Sequence, residues 1–189
     1  MIEFAAALKH LGKPTDADCL RVLSYARLRP DGSLWATDRY TLIRVNSTRI
    51  DTGGIDSDIL IPHHVVSELA RDKTRQASLA VDGSVVTIST ATQAFTFDQD
   101  QDRPRDAYPP VERLLVRPGK DHEPIPFAGA VKLSNLNRLN VPGIGKSTPV
   151  RLIGGESPRK PVFFEYVFGP AAQEYLMSGC FLLAYGASI

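Results

Sequence analysis

The sequence has little cysteine and no long apolar run. Cys19 and Cys180 are its two cysteines, and neither has the CxxC or Cys/His spacing of a zinc site, so we expect two reduced thiols in a reducing compartment. The longest apolar stretches, such as residues 180–185, fall far short of the roughly 20 residues of a membrane-spanning helix. Residues 1–13 lack the basic start and apolar core of a signal peptide. These absences predict a cytoplasmic protein.

An excess of one charge is also missing. The 189 residues carry 22 Lys and Arg against 21 Asp and Glu, a formal net charge of +1. Bulk electrostatics therefore cannot attract nucleic acid, and any such binding needs a local arrangement of cations. The length predicts one large domain or two small ones.

The motifs of common enzymes and metal sites are not present. His63, His64 and Glu68 lack the i, i+4 histidine pair of a metalloprotease helix. Residues 143–148 end in GKST, but Asn140 stands where a phosphate loop needs glycine. There is no G-x-S-x-G motif, and four histidines leave little room for acid–base chemistry. We expect no enzyme, cofactor or metal; a small hydrolase on an α+β scaffold is the enzymatic alternative, and it would need a deep polar cleft.

A repeated pattern runs along the chain. Helix, strand, Asp-Gly-Ser turn and strand occur over residues 2–45 and again over residues 62–90, with the two turns 51 positions apart. A weaker third copy spans residues 125–177. The pattern predicts an α+β fold built from three β-α-β-β-β half-units, with a boundary near Val116.

The spacing of apolar residues predicts the helices and strands of these units. Residues 2–11 and 63–71 read as amphipathic helices, residues 19–28 and 34–45 as the two strands of a hairpin, and residues 59–61 as a buried strand. Three short strands follow at 77–81, 85–90 and 94–97. In the third unit we predict a strand at 125–127 and a helix at 131–139, followed by strands at 150–153, 162–168 and 174–177. The leucines at 133, 136 and 139 would face inward on that helix.

Four stretches resemble segments of the bacterial DNA polymerase III β sliding clamp, in the same order. Residues 34–42 (LWATDRYTL) resemble its "ATDGxRLA" segment, and residues 58–69 (DILIPHHVVSEL) resemble its strand, proline and helix. Residues 108–115 (YPPVERLL) resemble its "FPDYxRviP" crossover, and residues 175–177 (YLM) resemble the start of its "YxxMPMR" end.

The resemblance implies a DNA-clamp fold in a shortened and divergent form. Residues 1–115 match the clamp's middle domain nearly whole, residues 116–189 match the second half of its last domain, and its first domain has no counterpart. We expect a shortened and divergent relative of this kind to be encoded by a bacteriophage or a mobile element.

Sliding clamps enclose duplex DNA in a ring whose helices line the hole, so the resemblance implies cations on the helices. Diffuse positive charge would balance phosphates without gripping bases. The predicted DNA-facing residues are Lys9, His10, Lys13, Arg71, Lys73, Arg75, Lys132 and Arg138. The alternative is that these cations only complement the C-terminal ends of surface helices.

Clamps also bind a short linear peptide of polymerase, loader or repair partners in an apolar pocket. The resemblance places this pocket at Leu23, Thr37, Arg39, Tyr40, Leu42, Leu114, Leu176 and Ser178. At three successive positions the family has first glycine, then a small residue or histidine, and then arginine. This chain has Arg39, Tyr40 and Thr41 at these positions. Where the family has Met-Pro-Met-Arg, it has residues 177–180 (MSGC). Plain core packing is the alternative for the four leucines.

The resemblance thus implies a DNA replication accessory protein with duplex DNA and a DNA polymerase or clamp loader as partners. An unpaired sheet edge in a half-domain favours a homo-oligomer, a dimer or larger. The rival interpretation is a clamp-fold interaction module that does not encircle DNA and acts as a decoy or adaptor for host replication proteins.

Overall fold

The computed structural model describes residues 1–15, 20–102, 104, 106–115, 131, 133–154, 161–167 and 175–181, without the side chains at 113, 175 and 176. In chain order its elements are α1 (Ile2–His10), β1 (Tyr25–Leu28), β2 (Ser33–Thr37), β3 (Thr41–Ser47), β4 (Ile50–Asp51), β5 (Ile59–Pro62), α2 (His63–Arg71), β6 (Ala77–Asp82), β7 (Val85–Thr90), β8 (Ala94–Asp98), α3 (Gln99–Asp102), α4 (Leu133–Arg138), β9 (Val150–Ile153), β10 (Val162–Tyr166) and β11 (Tyr175–Phe181). Short 3₁₀ turns occupy Arg21–Ser24 and Val111–Leu115.

The element order confirms the predicted repeat. A helix followed by three strands occurs as α1 with β1 to β3, as α2 with β6 to β8, and as α4 with β9 to β11. In the first two units the first and second strands are joined by a turn whose glycine has positive φ, 77° at Gly32 and 61° at Gly83. Residues with a side chain rarely adopt this conformation, which explains why both turns carry glycine.

The strands form two sheets. One has the order β5-β1-β2-β3-β11-β10-β9 and the other β4-β6-β7-β8, and every described pair is antiparallel except β4 with β6. The first two units therefore supply two four-stranded arrays, each completed by one strand from a connecting segment. The third unit extends the first array, because β11 pairs with β3 from Tyr175 opposite Ser47 to Phe181 opposite Thr41. Residues on both sides of the predicted 115/116 boundary thus share a sheet, and the division itself stays a prediction.

Helices α1 and α2 pack against each other and share one core cluster with residues of both sheets. Phe4 and Ala7 of α1 and Leu69 of α2 are fully buried, in one cluster with Ile43 of the first sheet and Ile88 of the second. Burial of this apolar surface is the main force that holds the sheets to the helices. No helix within the described ranges is long and apolar enough to cross a membrane.

Two strand predictions are wrong in part. Residues 34–45 do not form one strand, because Asp38, Arg39 and Tyr40 make a turn between β2 and β3. The Asp38 carboxylate accepts hydrogen bonds from the backbone N–H of Tyr40 at 3.1 Å and of Thr41 at 2.9 Å, and Arg39 has φ of 81°. The strand predicted at 19–28 starts only at Tyr25, after a 3₁₀ turn. The strand predicted at 125–127 lies outside the described residues.

The orientation predicted for the third helix is wrong for two of its three leucines, whereas Leu139 packs against the core as predicted. Leu133 is 72% exposed and Leu136 is exposed, whereas Asn135 is buried. Arg138, expected to face outward, is held by an ion pair with Asp38. Polar contacts therefore join the helix to the β2–β3 turn, and Leu139, just beyond its end, is the leucine that packs against the core.

Candidate functional site

The two long helices are antiparallel, and this sets where their cations lie. The α-ammonium of Met1 donates hydrogen bonds to the carbonyl oxygens of Leu69 and Asp72, so the start of α1 meets the end of α2. At the other end, Lys13 and His63 line one cavity. Nine residues of helix are about 13 Å long. The cations predicted on α1 and α2 therefore form two groups at opposite ends of the helix pair.

Five of the predicted DNA-facing residues are exposed. They are Lys9, Lys13, Arg71, Lys73 and Arg75. Arg71 donates to the carboxylate of Glu68 at 2.8 Å, a surface pair that leaves its side chain 72% exposed. Such a pair contributes little to stability, so it can open at small cost when a phosphate competes.

The prediction that His10 faces DNA is wrong. Its side chain is fully buried, its ring stacks on Phe164 with centroids 5.8 Å apart, and its Nδ1 lies 3.0 Å from the Thr41 hydroxyl oxygen. Burial, helped by the nearby Arg138 charge, lowers the pKa of His10 to about 3. The ring is therefore neutral and cannot balance a phosphate charge.

Arg138 does not present a free guanidinium either. It is paired with the Asp38 carboxylate and donates to the Thr41 hydroxyl oxygen at 2.8 Å. The Asp38 side chain is only 10% exposed, so this ion pair is largely shielded from water. The pair joins α4 to the β2–β3 turn, which is a structural role. Lys132 lies outside the described residues.

Residues of the candidate peptide pocket lie on the sheet face opposite the helices, and the crossover at residues 108–115 covers this face. Leu42 packs with Trp35, Val111, Phe163 and Cys180, and Leu115 lies against this cluster. Leu23 belongs to a neighbouring cluster with Val22, Tyr25 and Leu60, and Tyr108 contacts both clusters. The structure therefore brings the predicted Leu23 and Leu42 together under the crossover, which contributes Val111 and Leu115 to the cluster and not the predicted Leu114.

Three predicted pocket residues are core residues here. Leu23, Thr37 and Leu42 are each no more than 2% exposed, so they do not line an open pocket. Thr37 donates its hydroxyl proton to the carbonyl oxygen of Thr41 at 2.7 Å, which closes the β2–β3 turn. The interpretation of these positions as pocket walls is corrected to core packing.

The other predicted pocket residues lie nearer the surface. Tyr40 and Leu114 are exposed hydrophobic residues, and Arg39 is exposed on the turn. Ser178 is half-buried in β11 opposite Arg44, and the side chain of Leu176 lies outside the described part. Of these residues, Leu114 adjoins a filled cluster, because its carbonyl oxygen lies 3.9 Å from the sulfur of Cys180.

An ion-pair cluster holds the crossover on the sheet, and no local pattern in the sequence indicates it. Arg27 of β1 donates to the carboxylates of Asp58 and Glu112, each at 2.6 Å. The guanidinium carbon of Arg27 also lies 5.5 Å from the ring centroid of Tyr108, within cation–π range. Desolvation opposes but does not overcome the hydrogen bonds and positive charges, so the pKa of Glu112 is lowered.

Further basic residues that sequence reasoning missed lie near the predicted ones. Arg49 and Arg75 share a cleft of about 820 Å³ at the start of the parallel strands β4 and β6, together with Asp51. Arg21, His63 and His64 share a second cavity with Lys13. Only the pairing of separate chain segments brings these side chains together, so no local spacing could indicate them.

Repeated units, antiparallel sheets and a pair of packed helices define an α+β protein. The chain matches no protein-family model and no curated protein. Among solved structures it is similar to the beta subunit of a Streptococcus pyogenes DNA polymerase, at 12% identity and a TM-score of 0.53, covering 100% of this chain and 63% of that one. It is also similar to a provisionally assigned DNA polymerase III beta subunit of Eubacterium rectale ATCC 33656, at 13% identity and a TM-score of 0.51, covering 99% and 64%.

These similarities show the fold alone. The chain has the DNA-clamp fold in shortened form, and it spans just under two thirds of the length of the two beta subunits. The predicted fold class is confirmed. The predicted origin in a bacteriophage or mobile element is not tested by these comparisons.

Proposed function

We propose that this protein is a non-enzymatic, clamp-like accessory of DNA replication that contacts or encircles duplex DNA. The observation that carries the proposal is the exposure of Lys9 and Lys13 at one end of the antiparallel helix pair and of Lys73 and Arg75 at the other. On the clamp fold, two separated cation groups suit contact with phosphates on a duplex, without any group shaped to read bases. The net charge of +1 makes this local sorting necessary.

The proposed action is topological. A protein that encircles DNA keeps a bound polymerase on its template by raising the effective concentration, with no catalytic step of its own. We propose residues 1–115 as a complete clamp domain and residues 116–189 as a half-domain. The two four-stranded arrays with their two helices support the first assignment, and the three strands added by the third unit support the second.

A ring built from such a chain needs more than one copy, so a homo-oligomer, a dimer or larger, is part of the proposal. Strand β8 ends the four-stranded sheet and β9 ends the seven-stranded sheet among the described strands. Open edges of this kind pair readily with strands of another chain. Sedimentation at micromolar concentration tests the point, and a strict monomer would contradict it.

The proposed protein partner is a DNA polymerase or clamp loader that binds through a short linear peptide. Leu114 is apolar and exposed beside the filled cluster that contains Cys180, where such a peptide would dock, and Tyr40 is an exposed aromatic residue of the β2–β3 turn. This role places the protein in the cytoplasm, in contact with the nucleoid.

A second candidate function is an adaptor or decoy on host replication proteins that does not encircle DNA. The burial of Leu23, Thr37 and Leu42 favours it, because a filled pocket cannot take the usual partner peptide without rearrangement. Such an adaptor would bind a host clamp or polymerase directly.

Retention on DNA distinguishes the two candidates. The protein is incubated with a nicked circular duplex, with and without a clamp loader, and gel filtration is repeated after the circle is linearised. A clamp co-elutes with the circle and is lost after linearisation, whereas an adaptor shows no difference between the two forms. In parallel, a Lys9→Gln/Lys73→Gln variant should lose affinity for short duplexes and reduce the salt dependence, while Lys146→Gln/Arg151→Gln, which neutralises two exposed cations of the third unit, serves as the matched control.

A further inference from the structure

A cavity of about 600 Å³ lies where the segment after α1 meets the first turn of α2. Its lining residues are Lys13, Pro14, Leu20, Arg21, Ser24, Tyr25, Pro62, His63 and His64. Three chain segments form it: the stretch that follows α1, the 3₁₀ turn before β1, and the junction of β5 with α2. The cavity shares no lining residue with the cleft that holds Arg49 and Arg75.

Cations from two chain segments line this cavity. Lys13 and Arg21 are exposed cations, His63 and His64 add imidazole N–H donors, and none of the described lining residues is a carboxylate. By contrast, the larger cleft at β4 and β6 places Asp51 beside its two arginines. Two cations on separate segments of one cavity attract an anion from solvent.

The hydroxyl groups of the cavity already donate hydrogen bonds to carbonyl oxygens, so the donors left for a ligand are nitrogen groups. Ser24 donates to the carbonyl oxygen of Arg21 at 2.8 Å, and Tyr25 donates to the carbonyl oxygen of Asp102 at 2.6 Å. The remaining donors are an ammonium, a guanidinium and two imidazoles, which approach from three separate segments. A phosphate group, with oxygens on several sides, can accept from such a set at once.

We infer that this cavity binds a phosphate group, with Lys13, Arg21, His63 and His64 as its donors. The inference deepens the proposed function and rests on it for the source of the phosphate, which is the backbone of a nucleic-acid strand. Free phosphate has the same chemistry and is the other source. The site also gives a role to the His63–His64 pair, which fits no metal motif, and to Arg21, which no helix pattern singled out.

The site is tested first with inorganic phosphate on the full chain. Imidazole resonances of His63 and His64, assigned with single His→Gln variants, are followed by NMR as phosphate is added. We expect saturable shifts of both residues in the wild type and in the control Lys146→Gln/Arg151→Gln, and at least tenfold weaker binding in Lys13→Gln/Arg21→Gln. Because Lys13 and Arg21 are exposed, this variant should keep the thermal stability of the wild type. Shifts that do not saturate, or that are unchanged in the double variant, would overturn the site.

A second arm identifies the source of the phosphate. Fluorescence anisotropy with a short DNA duplex should show a loss on the order of tenfold for Lys13→Gln/Arg21→Gln at low salt, and a salt slope reduced by about 2. Inorganic phosphate should compete with the duplex. Loss of phosphate binding with unchanged duplex binding would overturn the backbone as source and leave a site for free phosphate. If the circular-DNA test fails while both anion assays succeed, the proposed clamp function falls and the phosphate site stands.

Discussion

The Nδ1 atom of His10 lies 3.0 Å from the hydroxyl oxygen of Thr41, in a place where neither group meets water. The Thr41 hydroxyl donates its proton to the Asp38 carboxylate at 2.9 Å and accepts from Arg138 at 2.8 Å. Because the proton of Thr41 is used, His10 must be the donor in its contact with Thr41. The neutral tautomer with the proton on Nδ1 is therefore the one that fits, and it joins α1 to the turn that also holds α4.

This buried histidine predicts an acid-sensitive fold. Burial lowers the pKa of His10 from 6.5 to about 3, so between these values the unfolded chain binds a proton that the folded chain does not. The free energy of unfolding is therefore not reduced by His10 above pH 6.5. Below that pH it falls by about 1.4 kcal/mol per pH unit as the pH falls. Urea unfolding between about pH 7.5 and 5, above the range where most carboxylates titrate, measures this slope.

Variants at His10 and His64 separate this effect from the other histidines. His10→Phe can stack on Phe164 without titrating, and we expect this variant to have a free energy of unfolding that depends less on pH. The exposed His64 provides the control, since His64→Gln should retain the wild-type slope. A His10→Phe protein as acid-sensitive as the wild type would show that His10 is not the responsible group.

Local sequence patterns predicted the elements whose limits are set locally. Helix α2 follows Pro62, whose fixed φ and missing N–H suit a helix start, and strands β6 to β8 alternate between buried and exposed positions around Gly83. The turn at Asp38–Tyr40 was missed because it contains neither glycine nor proline. The Asp38 carboxylate shapes it by accepting backbone hydrogen bonds, and the sequence of this turn reads equally well as a continuous strand.

The errors in the candidate site have a different cause. His10 and Arg138 were assigned to solvent from helical spacing, yet each is enclosed by residues distant in the chain, Phe164 for the first and Asp38 for the second. Likewise, Leu23 and Leu42 are buried because the crossover at residues 108–115 folds over them. Periodicity reports which face of an element is apolar, whereas the identity of what covers that face depends on long-range packing.

Gly179 should be essential for the junction between β3 and β11. A Cβ atom at this position would lie 2.2 Å from the Leu42 carbonyl oxygen and 2.4 Å from Cζ of Phe164, and neither the strand backbone nor the packed ring can move away. We expect Gly179→Ala to lower the free energy of unfolding by about 3 kcal/mol. At Gly145 the added Cβ would meet its nearest atom at 3.5 Å, so Gly145→Ala is the matched control. Equal stability of the two variants in urea unfolding would contradict this packing.

The thiol of Cys180 should be unreactive in the folded protein. It lies in β11 between β3 and β10, and burial raises its pKa to about 12. In a Cys19→Ser background, we expect Ellman's reagent at about pH 8 to label Cys180 only after denaturant is added. Adding the exposed substitution Ser147→Cys provides a thiol that reacts in the native state. Rapid native labelling of Cys180 would show that β11 is not held inside the sheet.

Arg138 and the pair Lys73 and Arg75 should behave in opposite ways when neutralised. Arg138→Gln leaves the shielded Asp38 carboxylate without its counter-charge, so we expect a loss of about 2 kcal/mol in stability and unchanged affinity for a DNA duplex. Lys73→Gln/Arg75→Gln changes two exposed side chains, so stability should shift by no more than about 0.5 kcal/mol. Its duplex affinity at low salt should fall on the order of tenfold, because two phosphate contacts are lost. Urea unfolding and fluorescence anisotropy on the same preparations measure both quantities, and a tenfold loss of DNA affinity in Arg138→Gln at full stability would return Arg138 to the DNA-facing surface.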